Sequence, residues 1–134
     1  MRKNSKLVDE LFKRAETYFP DFRLPIVWDS LKNENMAEWQ NGYIDGFGEL
    51  HIIKLNFKLH EGEADLFATI CHELIHAWQH EQGLETDHGL QFCEMALKFE
   101  MAGINAYSSD CLQSDIDYLK AKYFTNYFKI GDLV

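Results

Sequence analysis

The stretch from Glu63 to His80 constrains the fold of this chain more than any other segment. Phe67, Ile70, Cys71, Leu74 and Trp78 recur at helical spacing and fall on one stripe when successive residues turn by about 100°. His72 and His76 fall on the opposite side, one turn apart. Gly83 follows as a natural stop, because the residue that ends a helix in a left-handed conformation is usually glycine. The segment predicts a helix that packs its apolar stripe into a core and holds two imidazoles towards a cleft.

The rest of the chain supplies that core. Ser5 to Phe19 carries Leu7, Val8, Leu11, Phe12 and Ala15 at helical spacing, and Pro20 ends it. Pro25-Ile26-Val27-Trp28 reads as a short strand. Gly42 to Asp45 and Glu49 to Phe57 flank Gly46-Phe47-Gly48 as the arms of a hairpin, with Leu50 and Ile52 alternating with Glu49, His51 and Ile53. A second helix is expected from about His88 to Met101, with Phe92, Met95, Ala96 and Phe99 inward, Thr86 or Asp87 as N-cap and Gly103 after its end. A last helix from about Ser114 takes Asp117 as capping partner and buries Ile116, Leu119, Tyr123 and Tyr127. The expected fold class is α+β: an N-terminal helix, about three strands in an antiparallel sheet, the histidine-bearing helix, and further C-terminal helices. At 134 residues the chain is expected to form a single domain over 1–134.

Charge and cysteine content narrow the function classes. The net charge of -9 argues against strong nucleic-acid binding, which draws its affinity from neutralising phosphates. Lys120, Lys122 and Lys129 are the only modest basic candidates, and a solvated helix face explains them more simply. No apolar run reaches the roughly 18 residues that span a bilayer. The basic start through Arg2, Lys3 and Lys6 leads into Asp9, Glu10, Lys13 and Arg14 rather than into a signal-peptide core. Cys71, Cys93 and Cys111 form no paired framework, and free thiols fit a cytoplasmic location.

His72-Glu73-Leu74-Ile75-His76 carries the candidate chemistry. Residues four apart on a helix share a face, so two imidazoles can bind one zinc ion, and the glutamate beside the first can act as base towards water at the metal. With six histidines and twelve glutamates, chance gives this pattern in about one chain of this composition in forty, so its context carries much of the weight. A catalytic zinc takes three protein ligands and keeps a fourth position for water. His80 lies on the same helix about 12 Å along the axis from His72 and cannot easily close on the same ion. Gln79 and Gln82 stand where a metzincin needs glycine and histidine, which excludes that class. His88, after the reversal at Gly83, is the preferred third ligand, while Glu94 and Glu100 remain open as carboxylate alternatives.

His72-Glu73-Leu74-Ile75-His76-Ala77-Trp78, followed by His88-Gly89-Leu90-Gln91-Phe92, resembles the SprT-like metallopeptidase family, which includes the Spartan proteases. Leu55-Asn56, just ahead of the motif helix, is similar to the end of the family's last strand, and the resemblance covers roughly residues 5 to 102. It implies a zincin-like fold and a single catalytic zinc held by His72, His76 and His88. It also implies Glu73 as general base and proton shuttle in peptide-bond hydrolysis, and a protein or peptide substrate lying extended beside a sheet edge. Many family members carry a C-terminal zinc ribbon with paired cysteines, and only Cys111 lies beyond residue 93 here. Spartan-type proteases act on proteins crosslinked to DNA, a substrate class that the acidic composition does not favour. The competing reading is a non-catalytic or weakly active zinc-binding interaction module associated with DNA processing. Retention of Glu73, which holding zinc does not require, counts against it.

His51 and His60 read as ordinary surface or strand residues, and His80 as solvent-facing near its helix end. Trp28 and Trp39 read as core aromatics. Tyr107, Tyr118 and Tyr123 are candidate oxyanion stabilisers, with nothing in the sequence to choose among them.

Overall fold

The computed structural model describes residues 5–127, with side chains over 5–123. Arg2 and Lys3, the side chain of Tyr127, and Lys129 lie outside the described residues. The chain divides into two compact units, Met1–Thr86 and Asp87–Val134. The first holds α1 (Ser5–Glu16), β1 (Ile26–Ser30), β2 (Ala37–Ile44), β3 (Gly48–Leu55), a 3-10 turn (Phe57–Leu59) and α2 (Glu63–Glu81). The second holds α3 (Leu90–Met101) and α4 (Gln113–Tyr127). The class is α+β, as the patterning predicts.

In α1, Val8, Leu11, Phe12 and Ala15 are buried at the expected spacing, and the helix packs on α2. Each large side chain so buried contributes about 1.5–3 kcal/mol relative to exposure. The helix closes at Glu16 rather than Phe19, because the N–H groups of Thr17, Tyr18 and Phe19 bond three residues back and tighten the chain ahead of Pro20. Phe19 is still buried.

The sheet is mixed, not antiparallel as expected. Its order is β1-β3-β2, with β2 antiparallel and β1 parallel to β3. β2 and β3 form the hairpin, turned at Asp45-Gly46, where Gly46 takes φ 80° and Phe47 N–H bonds to Ile44 O. The parallel pairing follows from the arc over residues 31–36. Ser30 and Ala37 both pair with Leu55, so the arc passes over the end of β3 and returns on its other side. Leu31 N–H bonds to Leu55 O, Asn56 N–H to Met36 O, and Asn56 Nδ2 donates to Asn33 O at 2.7 Å. Asn56 Oδ1 also accepts from Lys58 N–H, so this side chain closes both the strand end and the following turn.

Helix α2 has Glu63 and Asp65 in its first turn, which suits the positive end of the helix dipole. It stops as expected. Gly83, at φ 72°, sends its N–H to His80 O, and Leu84 N–H goes to Gln79 O, the paired bonds of a Schellman end. Phe67, Ile70, Cys71 and Leu74 are buried as expected, whereas Trp78 is only half-buried. Leu66, Ile75, Ala77, Glu73, His76 and Gln79 are buried too, so a single apolar stripe understates how much of this helix is enclosed. α1 packs on it, and so do β2 and β3.

In the second unit Phe92, Met95, Ala96 and Phe99 are buried, and α3 ends at Gly103 with the same paired bonds, Gly103 to Glu100 and Ile104 to Phe99. Its N-cap is Gly89 rather than Thr86 or Asp87; Asp87 instead accepts Gly89 N–H in a turn before the helix. Cys93 and Leu97 pack with Leu119 of α4, flanked by Ile116, Tyr107 and Cys111. Tyr123 lies at the surface, not in the core. Asp117 is no cap: it accepts from Gln113 Nε2 one turn earlier within α4. Among the described residues no helix is long and apolar enough to cross a membrane.

Candidate metal centre

In the first unit α2 sets His72 and His76 one turn apart, with ring centroids 5.2 Å apart and nearly perpendicular planes. His76 is nearly enclosed, and its Nδ1 lies 2.9 Å from Oε1 of Gln79, three residues on and wholly buried. An amide oxygen only accepts, so the proton sits on Nδ1 and Nε2 carries the lone pair. This outer contact fixes the tautomer and ring orientation a metal ligand needs. Gln79 was singled out in the sequence only as a departure from the metzincin pattern. A polar residue at i+3 from a candidate ligand histidine is the available sequence signal for this contact.

Glu73 lies beside the pair, with Oε2 3.8 Å from His72 Nε2. Burial, and then the charge of Glu38, push its carboxyl up to about 8. Glu38 itself stays low, since its carboxylate accepts from the side chains of Asn33 and Asn35.

In the second unit His88 stands just before α3, half-buried, with Nδ1 3.6 Å from Asp110 Oδ2 and its ring edge-on to Phe92 at 4.8 Å. Its carbonyl accepts the Cys93 thiol at 3.7 Å. Nothing in the sequence pointed to Asp110. Glu94 accepts the Tyr123 hydroxyl and Glu100 pairs with Lys120, so both carboxylate alternatives are engaged elsewhere.

Among the described residues one group of three or more His, Cys, Asp or Glu side chains could hold a metal ion: His72, His76 and His88. Each offers one ligand atom, and these atoms lie within 4.8 Å of one another. Three imidazoles are a donor set that suits zinc and leaves a fourth position open.

The other histidines are structural. His51 in β3 is fully buried, not at the surface: Trp39 Nε1 donates to its Nδ1 at 3.1 Å, and its Nε2 donates to Glu81 Oε2 at 2.7 Å. That pattern needs the neutral ring, and burial lowers the His51 pKa against the pull of Glu81. Burial alone would raise Glu81, but the N–H groups of Arg23 and Leu24 together with His51 outweigh it and hold it low. The cluster pins the last turn of α2 to β2, β3 and the segment before β1. His60 is also buried, bonded through Nδ1 to Asn56 O and through Nε2 to Thr69 Oγ1. His80 is half-buried against Trp39, and Trp28 is half-buried with Nε1 on Asp9. Of the tyrosines, Tyr123 bonds Glu94, Tyr107 packs with Cys93, and Tyr118 is exposed. Lys120 is paired with Glu100, and Lys122 lies over the Tyr123 ring, so neither stands as part of a basic patch.

Compared with known protein families, residues 5–111 match the SprT-like family. No curated protein and no solved structure matches the chain.

Proposed function

Because the chain belongs to the SprT-like family, we propose that it is a zinc metallopeptidase, a single zincin-like domain that hydrolyses peptide bonds in flexible protein segments. The observation that carries this reading is the convergence of His72, His76 and His88, with Glu73 beside the first. His72, His76 and His88 would hold the zinc. Bound there, zinc supplies a Lewis acid that polarises the scissile carbonyl and lowers the pKa of water.

The chain's own residues do the rest. Glu73 takes a proton from the attacking water and returns it to the leaving amine. Its enclosure keeps bulk water from competing for that proton. Gln79 orients His76 from behind, and the Asp110 carboxylate lies 3.6 Å from His88 Nδ1. β1 and β2 are the sheet edges, and α2 packs against β2 and β3, which makes β2 the edge beside the motif helix. An extended substrate would add to β2 by main-chain hydrogen bonds, with affinity from the backbone and selectivity from alternate side chains.

Whether proteins associated with or crosslinked to DNA are substrates is a question of partner, and the net charge of -9 lends DNA no support. The test begins with metal content by elemental mass spectrometry, for wild type and His88→Ala. About one zinc per chain, weakened by His88→Ala, is expected. Cleavage of an unfolded reporter protein, with and without DNA, follows. Glu73→Gln should retain zinc and lose about 10²-fold or more in turnover. Equal turnover by Glu73→Gln would sink the base assignment. Zinc bound with no cleavage in any arm would favour the non-catalytic interaction module.

A further inference from the structure

The second unit gathers two of the three cysteines into one cluster. Cys93, in the first turn of α3, is fully buried, while Cys111, ahead of α4, is half-buried. Cys111 packs against the cluster that Cys93 forms with Leu97 and Leu119. The Cys111 sulfur also accepts Ser108 N–H at 3.4 Å, and the Cys93 thiol donates to His88 O at 3.7 Å. Leu97, Leu119 and Ile116 pack around the pair. Disulfide closure requires the two sulfurs to reach about 2.05 Å, and both side chains sit in the same small cluster. One of them can be reached from solvent. We propose that Cys93 and Cys111 are a redox-responsive dithiol, closing to an intramolecular disulfide when hydrogen peroxide oxidises Cys111.

The chemistry balances on the two sulfurs and one peroxide. Cys111 loses its thiol proton and attacks a peroxide oxygen; the O–O bond breaks, and the leaving hydroxide takes that proton as water. Cys111 is then a sulfenic acid. The Cys93 sulfur attacks the Cys111 sulfur, the S–S bond forms as the S–O bond breaks, and the hydroxyl leaves with the Cys93 proton as a second water. Two thiols are oxidised by two electrons, and the peroxide is reduced by two. Burial sets the order, since Cys111 is accessible for the first step and Cys93 is placed only for the second. Closure removes the S–H that Cys93 gives to His88 O. It also ties down the neighbour of Asp110, whose carboxylate faces His88 Nδ1. The inference does not rest on the peptidase reading.

The test uses the full chain, reduced and stripped of metal with a chelator. It is exposed to hydrogen peroxide, unfolded in the presence of iodoacetamide, and weighed intact and as peptides. Before oxidation its three cysteines take three alkyl groups. After oxidation one is expected, on Cys71, together with a peptide pair joining Cys93 to Cys111; a reductant is expected to restore all three. Cys111→Ser, a small change at a half-buried position, is expected to leave Cys93 alkylatable after the same treatment. Linkage through Cys71, crosslinked chains, or a sulfinic acid on Cys111 beside a free Cys93 would each overturn the proposal. So would three alkyl groups at a peroxide dose that oxidises free cysteine.

Discussion

Gln79→Leu removes the acceptor of the His76 Nδ1–H while nearly preserving volume, at a site where Gln79 is wholly buried and the bond is 2.9 Å long. In the metal-free chain the imidazole can shift its proton to Nε2. The loss is then limited to the net worth of one neutral hydrogen bond, about 0.5–1.5 kcal/mol, and the leucine offsets part of it. With zinc on Nε2 the proton must stay on Nδ1, now without the Gln79 oxygen. The cost of burying a donor deprived of its partner, about 1–3 kcal/mol, then falls on the metal-bound state. At about 1.4 kcal/mol per tenfold, zinc affinity drops about 5- to 150-fold, in line with outer partners of ligand histidines elsewhere. Competition for zinc against a chromogenic chelator reads the affinity, and thermal melting of the metal-free chain reads the stability control. Affinity should fall much further than stability, and Gln79→Glu, which keeps an acceptor, should recover most of it. Unchanged affinity in a folded Gln79→Leu would refute the reasoning, because His76 would then bind through Nδ1 or not at all.

The cluster around His51 predicts loss of stability on acidification. His51 has a lowered pKa, so its contribution is full above the ordinary imidazole value of about 6.5 and is lost as pH falls through the lowered value; Glu81, also lowered, acts the same way below about 4.3. Denaturant unfolding at about pH 7.5 and 5.5 should show the drop in wild type and a smaller one in His51→Gln, and equal drops would count against the assignment. Asn56→Ala removes the bonds to Asn33 O and from Lys58 N–H and should cost about 1–3 kcal/mol in denaturant unfolding. A loss below about 0.5 kcal/mol would mean that the arc over β3 is secured by other contacts.

Signals in the sequence are legible where the physics is local. Gly83 and Gly103 announce helix ends because a positive φ after the last turn disfavours any side chain, and both carry the paired bonds of that ending. The hairpin turn at Asp45-Gly46 is legible for a similar reason. The pairing of β1 with β3 is not. It depends on an arc that skips the nearest strand in sequence, and what secures the arc is Asn56 reaching Asn33, 23 residues back. The buried state of Glu73, His76 and Gln79 is not legible either. A helical stripe identifies one packed face, but α2 is packed by α1 and by β2 and β3.

The histidines show why such misses are systematic. His51, His60 and His76 are all enclosed, and residue type separates none of them. What separates them is the fate of each ring nitrogen. His51 and His60 have both nitrogens bonded within the protein, His51 to residues 12 and 30 positions away, so neither ring presents a lone pair to a metal. In His76 the partner is three residues along the same helix, on Nδ1, which directs the lone pair to Nε2. A partner at i+3 is visible in sequence once the helix is recognised, whereas Trp39 and Glu81 become neighbours of His51 only after the sheet has formed against α2. A buried histidine whose outer partner is local is therefore readable in advance. A buried histidine with distant partners passes for a surface residue until the fold is known.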